Sequence, residues 1–150
     1  MLPSSIMIAV SVGLLIYWFR YTCSLILRAK PARDYTQEVA NANELRFLEI
    51  QQDLPFVEGR SQLDHVRKTL ERDYRILSFL LRHTESLHEQ TDFLEQNLLM
   101  LHFTLTKGYY ALICAVSHSE GKRAIQEMAG VVSHFANRMG ERGSAVAVAR

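Results

Sequence analysis

LDHVRKTLERDYRILSFLLRHTESLHEQTDFLEQNLLMLHFTL, residues 63–105, is the stretch of sequence that decides the fold. Two series of residues, each spaced by seven, run through it, and ten of their thirteen members are Leu or Val. The first series comprises Leu63, Leu70, Leu77, Thr84, Thr91, Leu98 and Leu105. The second comprises Val66, Asp73, Leu80, Leu87, Leu94 and Leu101. A repeat of this length predicts one long helix, beginning near Ser61, that packs along a coiled-coil-like seam.

This seam is longer than the rest of the chain can easily cover, which indicates an additional helix as partner. Ile76, Phe79 and Leu81 widen the apolar face near its middle, so at least two helices are expected to meet it there. The partner is expected to be a second copy of the chain or another helical protein. We expect the interaction seam to consist of Leu63, Val66, Leu70, Leu77, Leu80, Leu87, Leu94, Leu98 and Leu101.

The first 19 residues contain no charged side chain, and their apolar run, Ile6–Ile16, leads into aromatic residues. A helix of this length nearly matches the hydrocarbon thickness of a bilayer, about 30 Å. Aromatic rings favour the membrane interface, and an arginine there can reach water while its stem stays in lipid. The sequence therefore predicts a single transmembrane helix bound to membrane lipid. Its interface residues are expected to be Tyr17, Trp18, Arg20 and Tyr21.

A cleaved signal peptide is the main alternative for this segment. Signal peptides begin with basic residues and end at a small-residue cleavage site, and neither feature occurs here. The basic residues Arg20, Arg28, Lys30 and Arg33 follow the apolar run, and none precedes it. Because cytoplasmic flanks carry the excess of Lys and Arg, we expect a single-pass protein with its N-terminus outside and its C-terminal domain in the cytoplasm.

The remaining sequence is predicted to be a helical domain. We assign residues 1–30 to the anchor and juxtamembrane segment, 31–143 to the soluble domain and 144–150 to a flexible tail. No proline follows Pro55, which permits long helices. We predict an all-α fold, in which the single N-terminal transmembrane helix is followed by an antiparallel helical bundle or coiled-coil-like hairpin.

Several helix boundaries are predicted from local signals. Asp34 and Gln37 resemble a capping box that starts a helix over residues 34–53. Gly140 and Gly143 are expected to end the last helix. Residues 98–117 are apolar enough to suggest a second membrane span, but Lys107 near the centre disfavours it, so a buried helix is expected there.

Charge and cysteine content exclude two classes of protein. Four of the 17 basic residues precede Asp34 and all 16 acidic residues lie at or after it, so the body holds 13 basic and 16 acidic residues. A mildly acidic body argues against nucleic-acid binding, which needs a basic face. Cys23 and Cys114 show no disulfide pattern and are predicted to be reduced thiols, both buried.

No catalytic or cofactor motif is found, so no enzyme activity and no cofactor are predicted. The best candidate metal group is Glu85, His88 and Asp92, which helical spacing brings to one face. Di-metal bundles use this Glu-x-x-His step twice, and no second copy occurs here. The leading hypothesis is therefore a membrane-anchored interaction or scaffold protein. Alternatives are a small-molecule or metal-binding bundle, and an accessory subunit of a larger membrane complex.

Overall fold

The computed structural model describes residues 2–31, 33–83 and 90–148. These ranges form α-helices and one short 3₁₀ helix (Leu54–Phe56), and contain no strand, which confirms the all-α prediction for this part of the chain. The α-helices are α1 (Leu2–Arg28), α2 (Thr36–Ala42), α3 (Phe47–Asp53), α4 (Arg60–His83), α5 (Gln90–Ile113) and α6 (His118–Val148).

The chain divides into two compact units, Met1–Lys30 and Pro31–Arg150. The first contains α1, whose 27 residues extend about 40 Å. Among the helices described, α1 alone is long and apolar enough to cross a membrane. Signal sequences and the core helices of soluble proteins also meet this criterion.

Two short helices, α2 and α3, occupy the region where a single helix over residues 34–53 was expected, so that prediction is wrong. The interruption is a helix C-cap in which the N–H of Leu45 donates to the carbonyl of Ala40 at 2.9 Å. This cap places Glu44 in the left-handed region, with φ of 53°. That conformation costs a residue with a side chain about 1–2 kcal/mol. Tertiary contacts must therefore stabilise the break between α2 and α3.

Asp73 supplies such a contact from α4. Its side chain is 1% exposed, and its Oδ2 accepts the N–H of Arg46 at 2.8 Å. The N–H of Phe47 also donates to this carboxylate. Asp73 therefore caps the first turn of α3 from another helix, which explains why one member of the heptad series is charged. Burial raises the pKa of Asp73, and the two N–H donors partly oppose that shift.

The capping box predicted at Asp34 is wrong in its second half. Asp34 Oδ1 accepts the N–H of Thr36 at 2.9 Å and its hydroxyl at 2.6 Å, and α2 begins at Thr36. These two bonds, the hydroxyl first, lower the pKa of Asp34. Gln37 hydrogen-bonds forward to Asn41, so the arrangement is a local Asx turn.

The predicted continuous helix through residues 63–105 is also wrong. Lys107 Nζ lies 3.2 Å from Glu71 Oε2, and the Tyr74 and Phe103 rings stack with centroids 3.9 Å apart. In one straight helix, residues 71 and 107 would be separated by about 54 Å. Helices α4 and α5 are therefore separate helices whose side chains contact each other. Residues 84–89, which include Leu87, lie outside the described residues.

Helix α6 is the common packing partner, because α2, α3, α4 and α5 all contact it. Its buried apolar face spans about 160° of the helix circumference, wider than the stripe of an ordinary surface helix. Three of the residues on it are alanines, which let neighbouring helices approach closely. The face comprises Ala124, Ile125, Met128, Ala129, Val131, Val132, Phe135 and Ala136.

The expected end of this helix at Gly140 and Gly143 is wrong, because α6 continues to Val148. Gly140 instead allows a close approach of the chain before α2. A Cβ at this position would overlap the side chain of Tyr35. The N–H of Tyr35 donates to Asn137 Oδ1 at 2.9 Å, which holds the two segments together. A Cβ at Gly143 would meet nothing within 4 Å.

Replacing these two glycines by alanine is expected to have opposite effects. Gly140→Ala should destabilise the detergent-solubilised full-length chain by about 1–3 kcal/mol, because the Cβ displaces Tyr35. Gly143→Ala should stabilise it by up to about 1 kcal/mol, because alanine favours the helix interior. Thermal unfolding followed by circular dichroism measures both effects. Equal shifts in the two variants would contradict the close approach at Gly140.

Removing the Asp73 cap should destabilise the fold. We expect Asp73→Leu to lower the free energy of unfolding by about 1–3 kcal/mol, because two backbone N–H groups lose their acceptor. Asp73→Asn keeps one oxygen acceptor and serves as the matched control with a smaller loss. If the two variants unfold alike, Asp73 does not act as a cap.

The raised pKa of Asp73 also gives the cap a pH dependence. In the interval between the unfolded pKa, about 4, and the higher folded pKa, the folded chain binds the proton more tightly. Stability contributed by protonated Asp73 is therefore lost as the pH rises through this interval. The stability of Asp73→Asn relative to the unmodified chain should increase with pH there. A constant or decreasing difference would exclude this assignment.

Candidate interaction surface

The predicted seam residues on α4 face the interior of their own unit. Leu63, Leu70 and Leu77 are fully buried, and Val66 and Leu80 are half-buried. The three leucines are therefore not accessible to another protein, whereas Val66 and Leu80 are partly accessible. They form a core face at the spacing expected for a helix that packs against neighbours on one side.

Helix α5 presents a different face to the core from the one that the heptad series marked. Its buried apolar residues are Leu99, Phe103 and Tyr110. Phe103 stacks on Tyr74, which also lies against Phe135 of α6. Because this face is turned away from the heptad series, the series residues of α5 point outward.

These outward residues form a continuous apolar stripe, which we call the α5 stripe. Leu94, Leu101, Leu105 and Leu112 are 64%, 50%, 54% and 77% exposed. The stripe extends for about 27 Å along the helix. Its full membership, with successive spacings of four and three residues, is Leu94, Leu98, Leu101, Leu105, Gly108 and Leu112.

The last three members of the stripe were absent from the predicted seam. Leu105 and Leu112 continue the series of Leu98, and Gly108 continues that of Leu101. Leu105 already belongs to the first series, and extending both series by one heptad would have added Gly108 and Leu112. The expectation of a buried helix over residues 98–117 is wrong for this side, since Leu112 and Val116 are highly exposed.

The edges of the α5 stripe carry little free charge. One edge consists of Asn97, Thr104 and Ala111, all exposed and uncharged. On the other edge, Glu95 accepts from His134 Nε2 at 2.7 Å and from Arg138 Nη2 at 3.1 Å. The charge nearest the stripe is thus neutralised by α6, and the surface presented to solvent is mainly apolar.

Gly108 is the one small residue in the α5 stripe, and the packing within the chain does not require a glycine at this position. It lies in the interior of α5, where glycine costs about 1 kcal/mol relative to alanine. A Cβ at Gly108 would meet nothing within 4 Å in the chain. By contrast, a Cβ at Gly121 would contact Tyr110 and Cys114. Helix α5 continues through Gly108 without a break and ends at Ile113.

A cleft of about 470 Å³ beside α5 is another candidate site. Its charged walls already have partners in the chain, since Arg67 pairs with Asp64 and Glu71, and Lys107 pairs with Glu71. Both cysteines are free thiols, and Cys114 at this cleft is half-buried, with its Sγ 3.9 Å from Arg60 Nη2. We therefore assign these side chains to the packing of α4 against α5.

The predicted metal group cannot be located. Glu85 and His88 lie outside the described residues, and the position of the Asp92 side chain is likewise not described. In the part of the chain that is described, no group of three His, Cys, Asp or Glu residues could hold a metal ion.

The predicted membrane-interface residues form a cluster on α1. The rings of Tyr17 and Tyr21 stack with centroids 6.3 Å apart, and Trp18 packs edge-on to Tyr21 at the same distance. All three rings are exposed, as is Arg20 beside them. An exposed aromatic cluster flanked by a basic residue has the chemistry of a membrane–water interface.

Comparisons with protein-family models, with curated proteins and with solved structures found no match for this chain. We therefore base the functional proposal on the exposed apolar surfaces of α1 and the α5 stripe.

The hydroxyl of Tyr110 allows a test of whether the cleft beside α5 serves packing alone. It is buried and has no hydrogen-bond partner among the described residues, and burial raises its pKa. If it serves packing alone, Tyr110→Phe should leave the stability unchanged or raise it by up to about 1 kcal/mol. Tyr109→Phe, next to it and exposed, is the control and should change little. A loss above about 1 kcal/mol in Tyr110→Phe alone would indicate an undetected partner.

Proposed function

We propose that this chain is a membrane-anchored helical interaction protein that binds another helix through the α5 stripe. The observation that carries the proposal is the combination of heptad spacing with high exposure at Leu94, Leu101, Leu105 and Leu112. Surfaces of this kind in soluble proteins usually mark binding sites, because leaving them in water is unfavourable. A helix with this spacing binds by inserting its leucines between those of a partner helix.

The anchor in this proposal is α1. Its length and apolar composition suit a bilayer, and only 6% of its apolar stretch of 18 residues is buried. The aromatic cluster at Tyr17, Trp18 and Tyr21 suits the headgroup region. The basic residues that follow the apolar run favour an N-terminus outside and a helical domain in the cytoplasm.

We further propose that α4 and α5 form an antiparallel hairpin within a helical bundle. The contacts between the two helices support this, because residues later in α4 contact residues earlier in α5. Arg60 approaches Cys114, Glu71 pairs with Lys107, and Arg82 approaches Met100. This arrangement satisfies the seam residues of α4 inside the unit and leaves the α5 stripe as the surface open to a partner.

Site-specific photo-cross-linking in native membranes tests the proposal. A photoreactive residue in place of Leu101 or Leu105 should give a discrete protein adduct, because both side chains lie at the centre of the stripe. The same residue in place of Gln126, an exposed position on α6, is the control and should give none. The full-length chain should remain in the membrane pellet after carbonate extraction.

Three results would each contradict one part of the proposal. Release of the chain from the membrane by carbonate would exclude α1 as a membrane anchor. Equal adduct yields at Leu101 and Gln126, or adducts with lipid alone, would exclude the α5 stripe as a protein-binding surface. Protease protection of the body in sealed right-side-out vesicles tests the orientation, and digestion from outside would overturn it.

A further inference from the structure

We infer that the helix bound by the α5 stripe is the α5 stripe of a second copy, running antiparallel about a two-fold axis. This inference rests on the proposed function and specifies its partner. It follows from the order of large and small residues along the stripe, from the positions of the flanking charges and from the area available.

The order of large and small residues makes the stripe complementary to an antiparallel copy of itself. Leu98, Leu105 and Leu112 form one series of seven-residue steps, and Leu94, Leu101 and Gly108 form the other. In an antiparallel pair, members of the first series face members of the second. Centring the axis near residue 103 pairs every member of the stripe, in the combinations Leu94 with Leu112, Leu98 with Gly108, and Leu101 with Leu105.

Gly108 decides the direction of the pair. Antiparallel pairing places a leucine, Leu98 of the second copy, against the open space at Gly108, so that a large residue fills the position of a small one. Parallel pairing would set Gly108 against its own copy and leave a gap there. This role also accounts for a glycine in the middle of a helix where the isolated chain has room for a side chain.

Charges permit the self-pairing and disfavour a lipid surface. In the antiparallel register each edge of the stripe faces the same edge of the second copy, so Glu95 lies near Tyr109 and the uncharged edge of Asn97, Thr104 and Ala111 faces itself. No like charges therefore meet. Helices that bind a membrane surface carry Lys and Arg along their polar flanks. The α5 stripe has only Lys107 nearby, and that residue pairs with Glu71.

The exposed area fits a pair that depends on the membrane anchor. Five partly exposed leucines and Tyr109 present on the order of 400 Å² of apolar surface per copy. A standard stable interface buries about 800 Å² on each partner. The stripe is therefore too small for a tight dimer in dilute solution, whereas confinement of two anchored copies to one membrane raises their effective concentration.

Cysteine cross-linking of the full-length chain in membranes tests the register. The background carries Cys23→Ser and Cys114→Ser. Two differently tagged copies, one Leu94→Cys and the other Leu112→Cys, are co-expressed and oxidised. We expect the mixed 94–112 cross-link to exceed either like-with-like cross-link by about tenfold, which corresponds to a preference of about 1.4 kcal/mol. Gln126→Cys on α6 is the control and should not cross-link.

Changing the sizes of two facing residues tests the contact itself. Gly108→Leu has room within its own chain, so the fold should be kept, but Leu98 of the second copy would be displaced. We expect this variant to lower the mixed cross-link about tenfold. Adding Leu98→Ala should restore it to within about threefold, because the large and small residues are then exchanged. Carbonate-resistant membrane association and unchanged protease resistance confirm that each variant is folded.

The outcomes separate this inference from the proposed function. Like-with-like 94–94 and 112–112 cross-links would overturn the antiparallel register. An adduct at Leu101 with a different protein, and none at twice the mass of the chain, would overturn self-pairing and leave the interaction function intact. Lipid adducts alone, or no adduct above the Gln126 control, would overturn both.

Discussion

The structure of the second unit depends on the burial of α6. Four other helices pack on this one helix, and its alanines allow them to approach closely. Ile125, Met128 and Phe135 supply the large side chains that fill the space between them. Because a well-packed interior tolerates few changes of volume, the positions of α2 to α5 are fixed largely by the shape of this face.

Polar contacts then determine where the short helices α2 and α3 lie. Asp73 accepts the first N–H groups of α3, and Asn137 accepts the N–H of Tyr35 just before α2. Both acceptors are buried side chains on long helices. A buried polar group is stable only when it is hydrogen-bonded, so each defines one position for the backbone it binds. This specificity compensates for the unfavourable conformation of Glu44 at the break.

The sequence predicted the helical class and most of the periodic segments, because apolar spacing directly reflects the helix repeat. It failed where tertiary contacts override local signals. Asp34 and Gln37 suggested one helix from residue 34, whereas the buried Asp73 starts a second helix at Phe47. Gly140 resembled a helix end, but a close contact with Tyr35 gives it a different role within α6.

The candidate site was predicted in part for a similar reason. Heptad spacing identified Leu94, Leu98 and Leu101 but could not show that α4 and α5 turn different faces to the core. A repeat marks an apolar face without indicating whether the same chain covers it. In the structure Leu63, Leu70 and Leu77 are buried, whereas Leu94 and Leu101 are exposed.

The central place of α6 also affects the timing of folding during synthesis. The hydrogen bond between Tyr35 and Asn137 cannot form until Asn137, 102 residues further along the chain, has been synthesised. At about 5–20 residues per second, the ribosome needs roughly 5–20 s to make that span. During this delay the apolar faces of α4 and α5 lack their packing partner, which exposes the nascent chain to aggregation and to chaperones.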